Sequence, residues 1–239
     1  MNKKALSIFS AGLLALCSTG CMATKQLTDY KKEGFYAGIN ARGGVAIRQY
    51  NIKNMEEKEV PVHPDDAGFL TGSTMIKADK GTHPTIGLGL EGIAGYENLS
   101  LVSGIDAEFG GSISYKKKIQ QSDGRGKTGA YLYDSVRTNI ISPVPFVGAR
   151  YAIGDLELSY EFGFPMTTFK REWGHHRYNK EERIGREKDS VTGKRQTAGV
   201  KWKFDKDFSA GLFYSKEDYN LKFGKAKSAS IGLLFGFDF

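Results

Sequence analysis

His63, His83, His175 and His176 are the side chains best suited to acid–base or metal chemistry. All four are expected in long loops rather than on strands. Acyl transfer needs a nucleophile, a base and a group that orients the base, all within reach of one another. The chain has no Gly-x-Ser-x-Gly motif to supply the nucleophile. Glu172 with His175 and His176 could meet a metal ion. Adjacent histidines rarely face one ion, however, and no further ligands stand at metal-site spacing. The expectation is a chain with no catalytic, metal or cofactor site.

Charge offers a second kind of chemistry. Between Pro165 and Lys194, basic groups interleave with aromatics, among them Trp173, Arg177 and Tyr178. An earlier stretch carries Lys116, Lys117 and Lys118, with Arg125 and Lys127. Such groups can grip phosphates and sugars, as in lipopolysaccharide or a host polyanion. Glu172, Glu181, Glu182, Glu187 and Asp189 dilute the charge, so a plainly solvated loop is the competing reading. The formal charge of +7 is too small to argue for nucleic acid. A third set of charges alternates with apolar residues: Arg42, Glu91, Asp106, Glu108, Arg150, Glu157 and Glu161.

These residues need elements to hold them, and the periodicity supplies strands. Ala229, Ile231, Leu233, Phe235, Phe237 and Phe239 alternate with Ser230, Gly232, Leu234, Gly236 and Asp238. Strict alternation means a strand with two different environments. The same pattern recurs near residues 35–50, 85–96, 99–115, 131–151, 156–164, 195–204 and 208–215, eight strands with the last. Pro143 and Pro145 predict a bulge or kink in the fourth, since proline cannot donate to a ladder. Long polar loops follow strands one, three, five and seven, and turns of two or three residues follow two, four and six. Composition agrees, with 30 Gly, 15 Phe and 12 Tyr against 6 Pro. No run after the N-terminus approaches the ~18 apolar residues of a spanning helix.

One face of each strand is apolar; the other carries glycine and charge. Gly38, Gly44, Gly87, Gly89, Gly104, Gly148, Gly211 and Gly236 fall on the charged face. An eight-stranded barrel has an interior barely wide enough for side chains. Long charged side chains fit there only beside small neighbours. The charged face is therefore assigned to the lumen and the apolar face to lipid. Inside, the charges form either a salt-bridged plug or a water path, and the small diameter favours the plug.

The pattern resembles the small eight-stranded outer-membrane barrels, a family with the membrane domain of outer-membrane protein A, outer-membrane protein X and the opacity adhesins. The resemblance implies an all-β, antiparallel, up-and-down transmembrane barrel over residues 34–239 in the bacterial outer membrane. It implies four long outer loops and short periplasmic turns. In that family a closing aromatic, here Phe239, is the signal read by the barrel-assembly machinery. Outer-membrane lipids and lipopolysaccharide would be partners, and the barrel a monomer. Lipocalins share the strand count, but their first-strand Gly-x-Trp is missing here. The barrel hosts many functions. A non-enzymatic protein whose loops make structural, adhesive or polyanion contacts is the primary expectation, with a narrow porin-like channel second and a lipid A-modifying enzyme third.

Residues 1–20 read as a signal peptide: Lys3 and Lys4, then an apolar core from Ala5 to Cys17. Ser18-Thr19-Gly20-Cys21 resembles a lipoprotein signal, which implies acylation of the Cys21 thiol. Ordinary cleavage after Ala23 is the alternative. Residues 21–33 form a polar linker to the barrel.

Overall fold

The computed structural model describes residues 34–62, 72–118, 131–177, 180–204 and 208–238. The leader, Cys21, the linker, Phe239 and His63 lie outside the described residues, as do Arg125, Lys127 and Tyr178.

Fourteen strands make up the described chain. They are β1 (Phe35–Lys53), β2 (Lys58–Val62), β3 (Gly72–Ile76), β4 (Lys80–Tyr96), β5 (Leu99–Phe109), β6 (Ser112–Lys118) and β7 (Tyr131–Thr138). They continue with β8 (Ile141–Ile153), β9 (Leu156–Gly163), β10 (Met166–Arg177), β11 (Lys180–Thr192), β12 (Lys194–Lys203), β13 (Phe208–Leu221) and β14 (Gly224–Asp238). Eight of them close into one antiparallel barrel in the order β1-β14-β13-β12-β9-β8-β5-β4. Closure leaves that sheet no unpaired edge.

The barrel is inside out relative to a soluble protein. Leu101 is 67% exposed, Ile231 63% and Leu90 59%, while Arg150 is 2% and Glu161 4% exposed. Only a surrounding hydrocarbon makes that arrangement favourable, because burying charge while wetting large apolar residues reverses the usual preference. The lipocalin arrangement, apolar inside, is thereby excluded. At about 3.3 Å per residue and a tilt near 40°, the outward run on β1 from Phe35 to Ile47 rises roughly 30 Å, one hydrocarbon thickness. The protein is a transmembrane β-barrel.

Small residues make room for the lumen charges at particular points. A Cβ on Gly148 would lie 2.7 Å from Glu161 Cγ and 2.6 Å from the Tyr160 carbonyl oxygen. At Gly89 it would overlap the Asp106 carboxylate. Any side chain there would push the charged neighbour out of place.

The outer side is more ordered than the alternation predicts. Predicted strands three and four each divide: β5 and β8 stay in the wall, while β6 and β7 leave it. The described part of the polar stretch after predicted strand five is not irregular loop but β10 and β11, so His175 and His176 stand on a strand, as His83 does on β4. Together these strands form a sheet ordered β11-β10-β7-β6 that repeats the order β12-β9-β8-β5 of the wall beneath. Residues 216–225, read as a fourth long loop, instead extend β13 and β14 to a tight turn. Leu221 there pairs with Gly224, whose φ of 148° suits glycine. Backbone pairing does not require apolar side chains, so these strands outrun the lipid-facing pattern. The β5–β8 register runs unbroken past Pro143 and Pro145, with no bulge there. The break falls instead at Asn139 and Ile140, between β7 and β8.

Leu90→Arg sits mid-span on the lipid face, between Ala41 and Ile105. It should destabilise the barrel in lipid vesicles by about 2–4 kcal/mol, against about 0–1 kcal/mol for Thr82→Arg beyond the belt. Urea midpoints in vesicles measure both. Equal costs would mean that Leu90 does not face hydrocarbon.

Candidate functional site: the filled lumen and the surface sheet

The lumen charges predicted from sequence do meet, in two tiers. The inner tier joins Arg42, Arg150 and Lys201 to Glu91, Asp106, Glu157 and Glu161. Arg42 donates from Nε to Asp106 Oδ1 at 2.8 Å and from Nη2 to Oδ2 at 2.6 Å. Its Nη1 reaches Glu161 Oε1 at 2.7 Å, and the Phe146 ring lies 3.6 Å from its Cζ. Arg150 forks onto Glu91, with Nη1 to Oε1 at 2.5 Å and Nη2 to Oε2. Lys201 closes the tier on Glu157 at 2.8 Å. Planar guanidinium against carboxylate in pairs is the geometry that best offsets desolvation.

The outer tier pairs Arg48 and Arg195 with Glu108 and Glu217. Arg48 reaches Glu108 at 2.8 Å and Glu217 at 3.1 Å. Arg195 reaches Glu108 at 2.6 Å and also binds Glu217. Glu217 is 1% exposed and accepts further bonds from Tyr219 at 2.9 Å and Ser228 at 2.8 Å. Two cations face two anions, so each loss would leave an uncompensated charge.

Between the tiers lies a cavity of about 50 Å³, lined by Arg42, Arg48, Glu108 and Glu161. That is room for a few waters. Above the outer tier an apolar cluster caps the barrel: Tyr50, Ile52, Tyr219 and Phe223 from the wall, Val136 from β7 and Phe169 from β10. Phe169 packs edge-on against Tyr50 and Tyr219, with ring centres 6.1 and 5.1 Å away. The surface sheet is thus fastened over the mouth.

A third ionic group holds that sheet together outside the membrane. Arg171 and Asp134, both fully buried, pair at 2.7 Å, and Asp134 also accepts from the Ala78 amide at 2.9 Å. Lys58 of the β2–β3 hairpin reaches Glu187 of β11 at 2.8 Å. Burial opposes the charge on Lys58, but hydrogen bonds to Glu187 and Glu56 outweigh it and hold its pKa above the ordinary lysine value.

Trp173 does not stand out as a ligand platform. It is partly buried and packs beside Val60, Ile76 and Leu132, with Lys58 Nζ 5.1 Å and Arg171 Cζ 5.6 Å from its ring. Its parity on β10 is that of Phe169 and Arg171, the face turned to the hairpin. Of the other basic groups predicted to bind, the side chains of Lys116, Lys117, Lys118 and Arg177 lie outside what is described. The opposite, exposed face carries an arrangement the alternation did not single out. Lys170 sits directly between Arg137 of β7 and Lys188 of β11, and all three are exposed. Unlike cations elsewhere on the sheet, such as Arg183 on Glu172 at 3.2 Å, they form a row of like charge. Among the described residues no group of three His, Cys, Asp or Glu side chains could hold a metal ion.

No family model matches the chain, and no curated protein does. Solved outer-membrane proteins do. The attachment invasion locus protein Ail of Yersinia pestis, in complex with the heparin analogue sucrose octasulfate, is 10% identical, with a TM-score of 0.39 over 84% of this chain and 99% of that one. The outer membrane protease OmpT of Escherichia coli is 10% identical, with 0.44 over 91% and 100%. Neisserial surface protein A is 9% identical, with 0.38 over 85% and 99%. These likenesses carry no argument about activity.

Glu217→Gln leaves Arg48 and Arg195 facing Glu108 alone. It should cost about 3–5 kcal/mol, the usual cost of breaking a buried pair from one side. Adding Arg48→Met should recover part of that loss. Refolding midpoints in detergent measure both. A neutral Glu217→Gln would show that the outer tier does not hold the barrel.

Proposed function

We propose that this is a non-enzymatic, monomeric surface-binding protein whose barrel is a plugged anchor and whose outer sheet takes anionic glycans. The row Arg137–Lys170–Lys188 carries the reading. Opposed residues on neighbouring strands lie about 5 Å apart, and like charges directly opposite destabilise a sheet. The sheet keeps three cations in line with no acid between them. A sulfated or phosphorylated polysaccharide repeats its charge along an extended chain and would relieve the repulsion at several points at once. The rigid sheet favours this, because few side chains must be ordered on binding. Trp173 supports the site from behind by packing the sheet on its hairpin.

Two observations favour an anchor over a pore: the paired tiers leave only a few waters' room, and the apolar cluster covers the mouth.

Purified barrel should bind heparin at low salt and lose it as salt screens the charges over a Debye length of about 8 Å at physiological strength. The triple variant Arg137→Gln/Lys170→Gln/Lys188→Gln should weaken binding about tenfold or more. Removing the same charge elsewhere, by Lys53→Gln/Lys222→Gln/Lys225→Gln, should cost far less. Equal losses would reduce the sheet to a general basic surface, and absence of binding by the parent would dismiss the reading.

A further inference from the structure

The strands that run from the wall into the surface sheet all break at one level. Gly110 and Gly111 part β5 from β6, and Asn139 and Ile140 part β7 from β8. Phe164 and Pro165 part β9 from β10, and Gly193 parts β11 from β12. Hydrogen bonds cross along this line. The Gly110 amide donates to the Ile140 carbonyl at 3.0 Å, the Asn139 amide to Thr168 at 3.0 Å and the Gly193 amide to Pro165 at 2.8 Å. Backbone angles can change at such a row of breaks with few ladder bonds lost, which makes it a hinge between wall and sheet. Two wall side chains stand against it. A Cβ on Gly193 would lie 2.5 Å from Tyr219 Cε1, and a Cβ on Gly111 would lie 2.2 Å from His83 Cδ2. Glycine at these points lets the line close over both rings.

His83 is the side chain under the hinge that acid can change. It is 6% exposed and stacks on Tyr50, with ring centres 5.3 Å apart and planes within 21°. Tyr50 in turn meets Phe169 of the surface sheet. Neither ring nitrogen of His83 has a hydrogen-bond partner among the described residues. The neutral ring leaves one N–H unmet, whereas the imidazolium would leave two and add a charge. Its surroundings offer that charge nothing. Arg48 stands directly opposite on β1. Glu108 of β5 and Glu217 of β13 are each already held by both Arg48 and Arg195 of β12. Tyr50 and Tyr219 are neutral below about pH 8, and β7 and β10 bring only Val136 and Phe169 to the cap.

We propose that His83 is an acid-sensitive catch that holds the surface sheet down over the outer tier. Above about pH 6.5, the ordinary histidine value, the neutral ring stays between Tyr50 and Gly111 and the sheet stays closed. Below it the ring takes a proton readily once in water, but not in its buried seat beside Arg48. Open sheet binds one more proton than closed sheet, so the ratio of open to closed rises about tenfold per pH unit below about 6.5. The sheet turns about the line from Gly110 to Gly193, and Phe169 and Val136 leave the cap. The paired tiers beneath stay in place, so the lumen stays filled.

Hydrogen–deuterium exchange of the refolded barrel in detergent, from about pH 5 to about pH 8 and corrected for the chemical pH dependence of amide exchange, tests this. Amides of β7 and β10 should open about tenfold more per pH unit below about 6.5. The β1–β14 ladder from Ala41 to Ile47 should keep its protection throughout. His83→Phe keeps a stacked ring that cannot titrate, and His83→Gln removes the proton site without the added bulk. Both should lose the pH dependence of the sheet, although His175 and His176 remain on β10. Gly111→Ala drives the ring from its seat and should open the sheet even at about pH 8, with the ladder still protected. A parent sheet whose protection ignores pH would overturn the proposal, as would His83 variants that keep the parent's profile. A ladder that opens together with the sheet, or a closed sheet in Gly111→Ala, would overturn the hinge and the seat.

Discussion

An eight-stranded barrel holds side chains and little else, so any charge that points inward must meet its opposite there. Here the inward charges are many, and the barrel is organised around pairing them. Arg42 alone binds Asp106 and Glu161 and lies on Phe146. Gly89 and Gly148 are small because Asp106 and Glu161 need their space. Polar contents oblige the exterior to carry the hydrophobic surface, and that surface has to meet lipid. Ladder pairing, face assignment and membrane location thus follow from one constraint.

The same constraint shapes what lies outside the membrane. The outer tier is finished by Tyr219 and Ser228, which bind Glu217. Above it the wall strands turn apolar on their inner face, and Phe169 and Val136 of the surface sheet complete that cap. The surface sheet is therefore built on the plug rather than hung from the rim. Arg171 and Asp134 repeat the device on a smaller scale, a buried pair that fixes β7 to β10 and to the hairpin region at Ala78. A rigid outer platform is the consequence, and its exposed cations keep fixed spacing.

Much of the barrel was legible because lipid and lumen impose alternation. Glycine on the charged face gave its orientation, and Arg42, Glu91, Asp106, Arg150, Glu157 and Glu161 fell into one connected tier. What failed was the outer part. Glu217 reads as a loop residue because its outward neighbours Lys216 and Asp218 are charged, which erases the contrast between faces above the membrane. Its parity with Gly211, Phe213 and Ser215 was the available signal. Trp173 has the side chain of a ligand platform, but its parity with Phe169 and Arg171 places it against the hairpin. The Arg137–Lys170–Lys188 row depends on the register between strands far apart in sequence, which no local pattern contains.

Paired charges close the lumen, and conductance of the barrel reconstituted in a planar lipid bilayer measures that closure directly. No steady current above that of the bare bilayer is expected in molar salt, from protein whose folded state is shown by its altered migration when unheated. A steady conductance that grows in proportion to salt would contradict it, because it would require a continuous water path past Arg42, Glu161, Arg48 and Glu217.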